Sequence, residues 1–294
     1  MSTLRDKAIS AFNWGVLEGL FGQGFTLIFG ILLARILSPS DFGIIGISTA
    51  ILNIANSIVD AGLGSSLMRN KNASSVDYST VFFTNILLSI VIYIVIYFMA
   101  PFIADFFHFP DLINMVRVIM SVIIINSFSL VQRVILSIRL DFKSQAIVTF
   151  VSSLISGIIA LFFAYNGFGI WSLAILFVSK QVITTILFWI VNKWKPLWCF
   201  SRKSFKENFD FGYKLLLTNL INTVYKNVYS FVIGKFFSPA TLGYYNRAES
   251  FQQPLSSNIA MGIRRMSFPI LSKIQDDQTE LKEKFKYFIK YSFF

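Results

Sequence analysis

The chain has 294 residues, 55% hydrophobic, 17% aromatic and 14% charged, with a net charge of +11. A soluble domain carries about 25% charged residues, so the solvent expected around this chain is lipid. With one cysteine, Cys199, and one histidine, His108, an internal disulfide is excluded, a Cys/His zinc site lacks ligands, and a serine-histidine triad would have to use His108. No metal and no cofactor are expected. The basic residues do not gather in a domain apart from the apolar runs, which argues against nucleic acid as a partner and makes them topology signals.

A helix needs about 20 apolar residues to cross the hydrocarbon core. Runs of that length predict spans at 11–34, 44–67, 79–104, 113–136, 145–166, 169–192, 212–235 and 244–270, with another starting near 284. The first follows Arg5 and Lys7 and is too long for a cleaved signal peptide. The run lengths require helix, since barrel strands are short and alternate. The expected fold class is therefore an all-α, multi-spanning membrane protein.

Lysine and arginine set the orientation. Every second loop is basic: Arg5 and Lys7, then Arg69 and Lys71, Arg139 and Lys143, Lys193 to Lys206, and Lys273 to Lys286. The intervening turns hold little beyond Arg35, Arg117 and Lys235 at or near helix ends. This places the N-terminus and the basic segment 193–211, the longest loop, on the cytoplasmic side. Short loops leave no extramembrane domain for soluble chemistry.

An internal repeat is present. Arg35-Ile36-Leu37-Ser38-Pro39-Ser40-Asp41-Phe42-Gly43 and Lys235-Phe236-Phe237-Ser238-Pro239-Ala240-Thr241-Leu242-Gly243 share a cation, Ser-Pro and Gly at the same spacing, 200 residues apart. Each follows an apolar helix and predicts a tight turn, because proline cannot continue the helix and glycine permits unusual backbone angles. Six expected spans separate the copies, an even number, so the repeat is parallel, about an axis along the membrane normal. The expected organisation is two six-helix lobes: 1–192, the basic loop 193–211, and 212–294 as the start of a second, incomplete lobe. The 294 residues alone are expected not to transport.

These residues carry a resemblance. The segment Leu33–Gly43 resembles the first outer turn of polysaccharide transporters, and Asp60-Ala61-Gly62-Leu63-Gly64-Ser65-Ser66-Leu67 the end of their second helix. Arg139-Leu140-Asp141-Phe142-Lys143 resembles their basic loop between helices four and five, and Leu242-Gly243-Tyr244-Tyr245-Asn246-Arg247-Ala248 the start of helix eight. In this order they resemble the Wzx-type flippases of the multidrug/oligosaccharidyl-lipid/polysaccharide superfamily. The resemblance implies 12 to 14 helices in two lobes in a bacterial inner membrane. It also implies alternating access, and a polyprenyl pyrophosphate-linked oligosaccharide as substrate.

Charges inside the membrane are costly and face a cavity or a partner. Lys180 falls halfway along the sixth span and Lys226 slightly past halfway along the seventh. Asn219, Asn222, Thr223, Lys226 and Ser230 share one helical face, as a wet cavity for an anion and its sugar requires. Lys226, Lys180, Asn222, Asn219 and Arg247 are the candidate substrate-binding residues. Asn53, Asn56 and Asp60 form a second stripe; Asp60 either ends its helix or, like Glu18 and Glu249, partners a lysine or binds a coupling H⁺ or Na⁺. Arg133 is expected to reach cytoplasmic phosphates. Gly15 and Gly19 suggest close helix packing, and Trp14, Trp171, Trp189, Trp194 and Trp198 an aromatic belt. The expected protein is a flippase, not an enzyme. A multidrug exporter of the same superfamily would need a cavity dominated by carboxylates, and a membrane polymerase or glycosyltransferase a catalytic loop.

Overall fold

A computed structural model describes residues 4–252 apart from Ala61 and Lys71, with side chains from Asn13 onward, and the isolated positions 271, 282 and 286. The elements are α1 (Leu4–Ala34), α2 (Pro39–Asp60), α3 (Leu63–Arg69), α4 (Ser75–Phe107), α5 (Leu112–Ile138), α6 (Phe142–Tyr165), α7 (Trp171–Val191), α8 (Arg202–Phe236) and α9 (239–252). Six of them, α1 from Asn13 together with α2, α4, α5, α6 and α7, are long and apolar enough to cross a bilayer. The protein is multi-pass and all-helical. The span expected over 244–270 is described as far as residue 252, and the one from 284 lies, Lys286 apart, outside the described residues.

Two elements differ from expectation. The span expected over 44–67 breaks after Asp60, where Gly62 takes φ +66, and resumes as α3. A Cβ at Gly62 would press on the backbone of Gly212, so the break brings two chain segments into contact that no side chain permits. The basic segment expected as a loop over 193–211 is irregular only to Ser201, whose hydroxyl caps the Ser204 amide; Arg202 opens the 35-residue helix α8. At about 1.5 Å per residue this helix is about 50 Å long. It is not among the six apolar helices, because charged and amide side chains such as Lys214, Asn219, Asn222, Lys226 and Asn227 interrupt its apolar residues.

The Ser-Pro turns work as helix starts. Ser38 is the N-cap of α2 and Pro39 its first residue: the Ser38 amide donates to Asp41 Oδ2 at 2.9 Å and the Asp41 amide to Ser38 Oγ at 3.3 Å. The second copy repeats the device, with the Thr241 amide donating to Ser238 Oγ at 3.2 Å. The two copies also meet. A Cβ at Gly43 would collide with the Pro239 carbonyl, and one at Gly243 with the Pro39 carbonyl. Three residues on, Gly46 lies against the amide of Asn246, again 200 positions away. The Gly43–Pro239 and Gly243–Pro39 contacts are thus reciprocal.

The remaining helices stack in the order α1, α6, α7, α5, α4, with α2 on α5 and α8 on α2. Between helices in lipid, close packing and hydrogen bonds replace the hydrophobic drive. Accordingly Ser152, Ser153, Ser156 and Gly157 bury one face of α6, and the Phe29 ring of α1 fills the space over Gly157. A Cβ at Gly15 would meet nothing within 4 Å, whereas one at Gly157 would meet the Phe29 ring, so Gly157 is where α1 and α6 come close. The main core joins Leu33, Ile47, Leu112, Val116, Ile119 and Ile123, all fully buried. Trp171 is exposed at the start of α7 and Trp198 in the irregular segment before α8, but Trp189 donates to the Phe128 carbonyl at 3.0 Å and Trp194 packs on Phe82 and Tyr78. At the end of α4, His108 caps the helix with φ 62, and Lys235 reaches across from α8 to the Phe106 carbonyl at 2.6 Å.

Candidate functional site: two polar cavities along α8

Helices α2 and α8 meet along a polar seam. Near the basic end, Ser66 of α3 donates to Asn208 Oδ1 at 2.8 Å. Further along, the hydroxyls of Ser57 and Thr223 lie 2.8 Å apart, and the Asn53 amide donates to Asn227 Oδ1 at 3.5 Å. At the far end Ser230 reaches Asn246 at 3.3 Å. The seam exists because helical spacing puts Asn53, Asn56, Ser57 and Asp60 on one face of α2, and Asn219, Asn222, Thr223, Lys226 and Ser230 on one face of α8.

Two cavities open on either side of this seam. The one nearer the basic loops has a volume of about 690 Å³ and is lined by Asn56, Asp60, Asn126, Arg133, Asn219 and Asn222, among others. The other has a volume of about 560 Å³ and is lined by Thr26, Thr49, Asn53, Asn246, Arg247 and Glu249, among others. Ser57, Thr223 and Lys226 line both. Each cavity thus combines an arginine, a carboxylate, several amides and a share of one lysine. The Arg247 guanidinium stacks on the Phe42 ring, 3.5 Å from its centroid, and packs against Gly30 of α1. Glycine at position 30 leaves it that room. The Arg133 guanidinium lies 5.3 Å from the centroid of the Phe188 ring.

A chain of amides runs from the first cavity into the helix bundle. Asn126 of α5 donates to Asn56 of α2 at 3.1 Å. Gln181 of α7 donates to Asn126 at 3.2 Å and lies within 3.3 Å of the Ser129 hydroxyl. The network ties three helices to the cavity wall and holds Asn56 and Asn126 in place. Gln181 was not singled out from the sequence, although its neighbour Lys180 was. The two lie about 100° apart on their helix, and only the packing says which one faces α5.

Of the candidate substrate-binding residues, the fold gathers Lys226, Asn219, Asn222 and Arg247 around the two cavities. Lys180 is half-buried on α7 and lines neither. Of the candidate carboxylates, Asp60 and Glu249 line one cavity each, whereas Glu18 is buried on α1 with the Thr149 hydroxyl 3.5 Å away. Arg133, expected to face cytoplasmic phosphates, is a cavity residue. Among the described residues no three His, Cys, Asp or Glu side chains come together as a metal site. A polar surface that combines cations with amides and hydroxyls suits an anion that carries a polar, hydroxyl-rich group.

Residues 32–294 match a family model described as polysaccharide biosynthesis protein. The chain is 24% identical over 286 residues to the lipopolysaccharide biosynthesis protein WzxC of Escherichia coli K12, covering 96% of this chain and 58% of that protein. It is 25% identical over 269 residues to the succinoglycan biosynthesis transport protein ExoT of Rhizobium meliloti, covering 90% and 54%. The chain thus spans a little over half the length of these relatives. Its fold is similar to a MATE structure in complex with Br-NRF (TM-score 0.59, 17% identity, 97% of this chain and 72% of that one). It is similar also to an inward-facing multidrug resistance MATE transporter of the MOP superfamily (TM-score 0.58, 15% identity, 96% and 66%).

Proposed function

The chain belongs to the polysaccharide biosynthesis protein family, and on that premise we propose that it translocates a lipid-linked oligosaccharide, joined to its polyprenyl carrier through a pyrophosphate, across a bacterial inner membrane for surface polysaccharide synthesis. The observation that carries this reading is the pair of polar cavities that share Lys226. The pyrophosphate must leave the headgroup layer and pass a zone of low dielectric. Fixed cations offset part of that desolvation. The amides and hydroxyls of Asn53, Asn222 and Thr223 offer hydrogen bonds to the sugar, and the polyprenyl chain stays in the surrounding lipid. Transport, not bond making, is the proposed activity. The relatives named for lipopolysaccharide and succinoglycan biosynthesis support the substrate class, and the likeness to the MATE fold supports movement by alternating access.

The reading includes two lobes. The first comprises the helices to α7; α8 and α9 begin the second, in a parallel repeat. The reciprocal packing of Pro39 and Gly43 on Pro239 and Gly243 supports that relation. The basic ends at Arg69, Arg139, Lys143 and Lys193 to Lys206 support a cytoplasmic N-terminus. Asp60 and Glu249 are the carboxylates at which a coupling H⁺ or Na⁺ would sit. A cationic drug is the poorer fit, because Lys226, Arg133 and Arg247 would repel it.

Deleting the gene tests the reading. Lipid-linked oligosaccharide is expected to accumulate on the inner leaflet while surface polysaccharide falls. Higher sensitivity to cationic drugs with no such accumulation would replace the flippase by an exporter.

A further inference from the structure

We propose that the two cavities are successive anion subsites sharing Lys226, and that Arg133 completes the first of them, at the basic end. The inference rests on the lipid diphosphate reading above and adds a route to it.

The geometry points to a series. Ser57, Thr223 and Lys226 are the residues common to both linings, so they form the partition between the two spaces. Across the partition the hydroxyls of Ser57 and Thr223 lie 2.8 Å apart, and beside them the Asn53 amide donates to Asn227 Oδ1 at 3.5 Å. Each volume, about 690 and 560 Å³, lies within the range of small-molecule sites, about 300–1,000 Å³. On one side stand Arg133 and Asp60, on the other Arg247 and Glu249. In each empty cavity the carboxylate lowers the net charge that low-dielectric surroundings must bear. When an anion enters, the two cations exceed the one carboxylate and favour it.

The residue types suit the order Arg, Lys, Arg. A guanidinium is a planar fork that holds a phosphate bidentately and in one orientation. An ammonium on a four-carbon stem is a mobile point charge. Arg133 therefore receives the diphosphate, Lys226 follows it past Ser57 and Thr223, and Arg247, braced on Phe42, receives it on the far side. The network from Gln181 through Asn126 to Asn56 keeps the first wall rigid during transfer.

The test uses the natural gene product in lipid vesicles, with Cys199→Ser and the pair Ser57→Cys and Thr223→Cys. Undecaprenyl diphosphate is the probe, added at the basic end. Reduced protein is expected to bind and translocate it. Oxidation to the cross-linked form should abolish translocation yet leave binding within about twofold. Binding by the cross-linked protein should fall at least tenfold with Arg133→Gln and stay unchanged with Arg247→Gln. Loss of binding on cross-linking, dependence on Arg247 in place of Arg133, or continued translocation would overturn the proposal. Competition by phosphatidylglycerol but not by inorganic pyrophosphate would also overturn it, since an ordinary bilayer headgroup would then fill the first cavity. If the cysteine pair cripples the reduced protein, Arg133→Gln in the natural sequence carries the test: tenfold weaker binding supports the subsite, unchanged binding refutes it. Natural protein that neither binds nor moves the probe would sink the lipid diphosphate reading itself.

Discussion

Pro101 removes the amide that would otherwise bond the Tyr97 carbonyl inside α4. Arg117 of α5 supplies the missing donor: its Nε lies 3.4 Å from that oxygen and its guanidinium 4.3 Å from the Tyr97 ring centroid. Arg117→Ala is expected to destabilise the protein by about 1–2 kcal/mol, read as a lowered thermal midpoint in detergent. Part of that loss should vanish in a Pro101→Ala background, where the helix satisfies its own carbonyl; equal losses in both backgrounds would show that the ring contact alone matters. The same scale explains what the sequence told about the cavities. The stripe through Lys226 was legible because one helix fixes the relative direction of its own residues. Arg133 was not: a cation close to a helix end can extend toward water or toward a cavity, and the choice belongs to neighbouring helices. Lys180 shows the converse, since a charge at mid-membrane depth does not say which side of α7 meets polar company.

Helix starts and breaks carry the next level. Ser38→Ala removes the N-cap of α2 and should cost about 1 kcal/mol, with Ser38→Thr, which keeps the hydroxyl that donates to Asp41, largely restoring it. The glycines beside this cap differ in kind. At Gly43 the obstacle to a Cβ is the backbone carbonyl of Pro239, whereas at Gly46 it is the side-chain amide of Asn246. Gly43→Ala should therefore block assembly of α9 against α2 whatever else is changed, and Gly46→Ala should be rescued by Asn246→Ala. Folded yields by size-exclusion chromatography distinguish the two; rescue of both, or of neither, would contradict the packing. The Ser-Pro turns were legible as turns, since Ser, Pro and Gly recur at fixed spacing. That each Ser-Pro opens the following helix depends on Asp41 and Thr241 bonding back to the serines. The break after Asp60 was legible in part, since Asp60 offered itself as a helix end. The need for glycine at position 62 was not, because it arises from Gly212, 150 residues away. The helical start of α8 was hidden in the same way, because Arg202 to Asp210 looks like a charged loop until Ser201 is seen to cap it.

For the molecule as a whole, α2 and α8 meet along a polar seam between two close backbone contacts, Gly62 on Gly212 and Gly43 on Pro239, beside six apolar helices. Between those contacts lie the two cavities and the lysine they share. Lipid as solvent was plain from composition, and the alternation of basic loops was plain from the loops. The meeting of α2 with α8 needed the three-dimensional fold. The account turns on Lys226, and the most direct measurement replaces it in the natural gene product. Lys226→Ala and Lys226→Arg would be compared for membrane level, surface polysaccharide and lipid-linked oligosaccharide on the inner leaflet. The account predicts at least a tenfold loss of polysaccharide for Lys226→Ala at normal membrane level, equivalent to about 1.4 kcal/mol or more, with the lipid accumulating and Lys226→Arg retaining part of the activity. Normal polysaccharide from a stably inserted Lys226→Ala would contradict it.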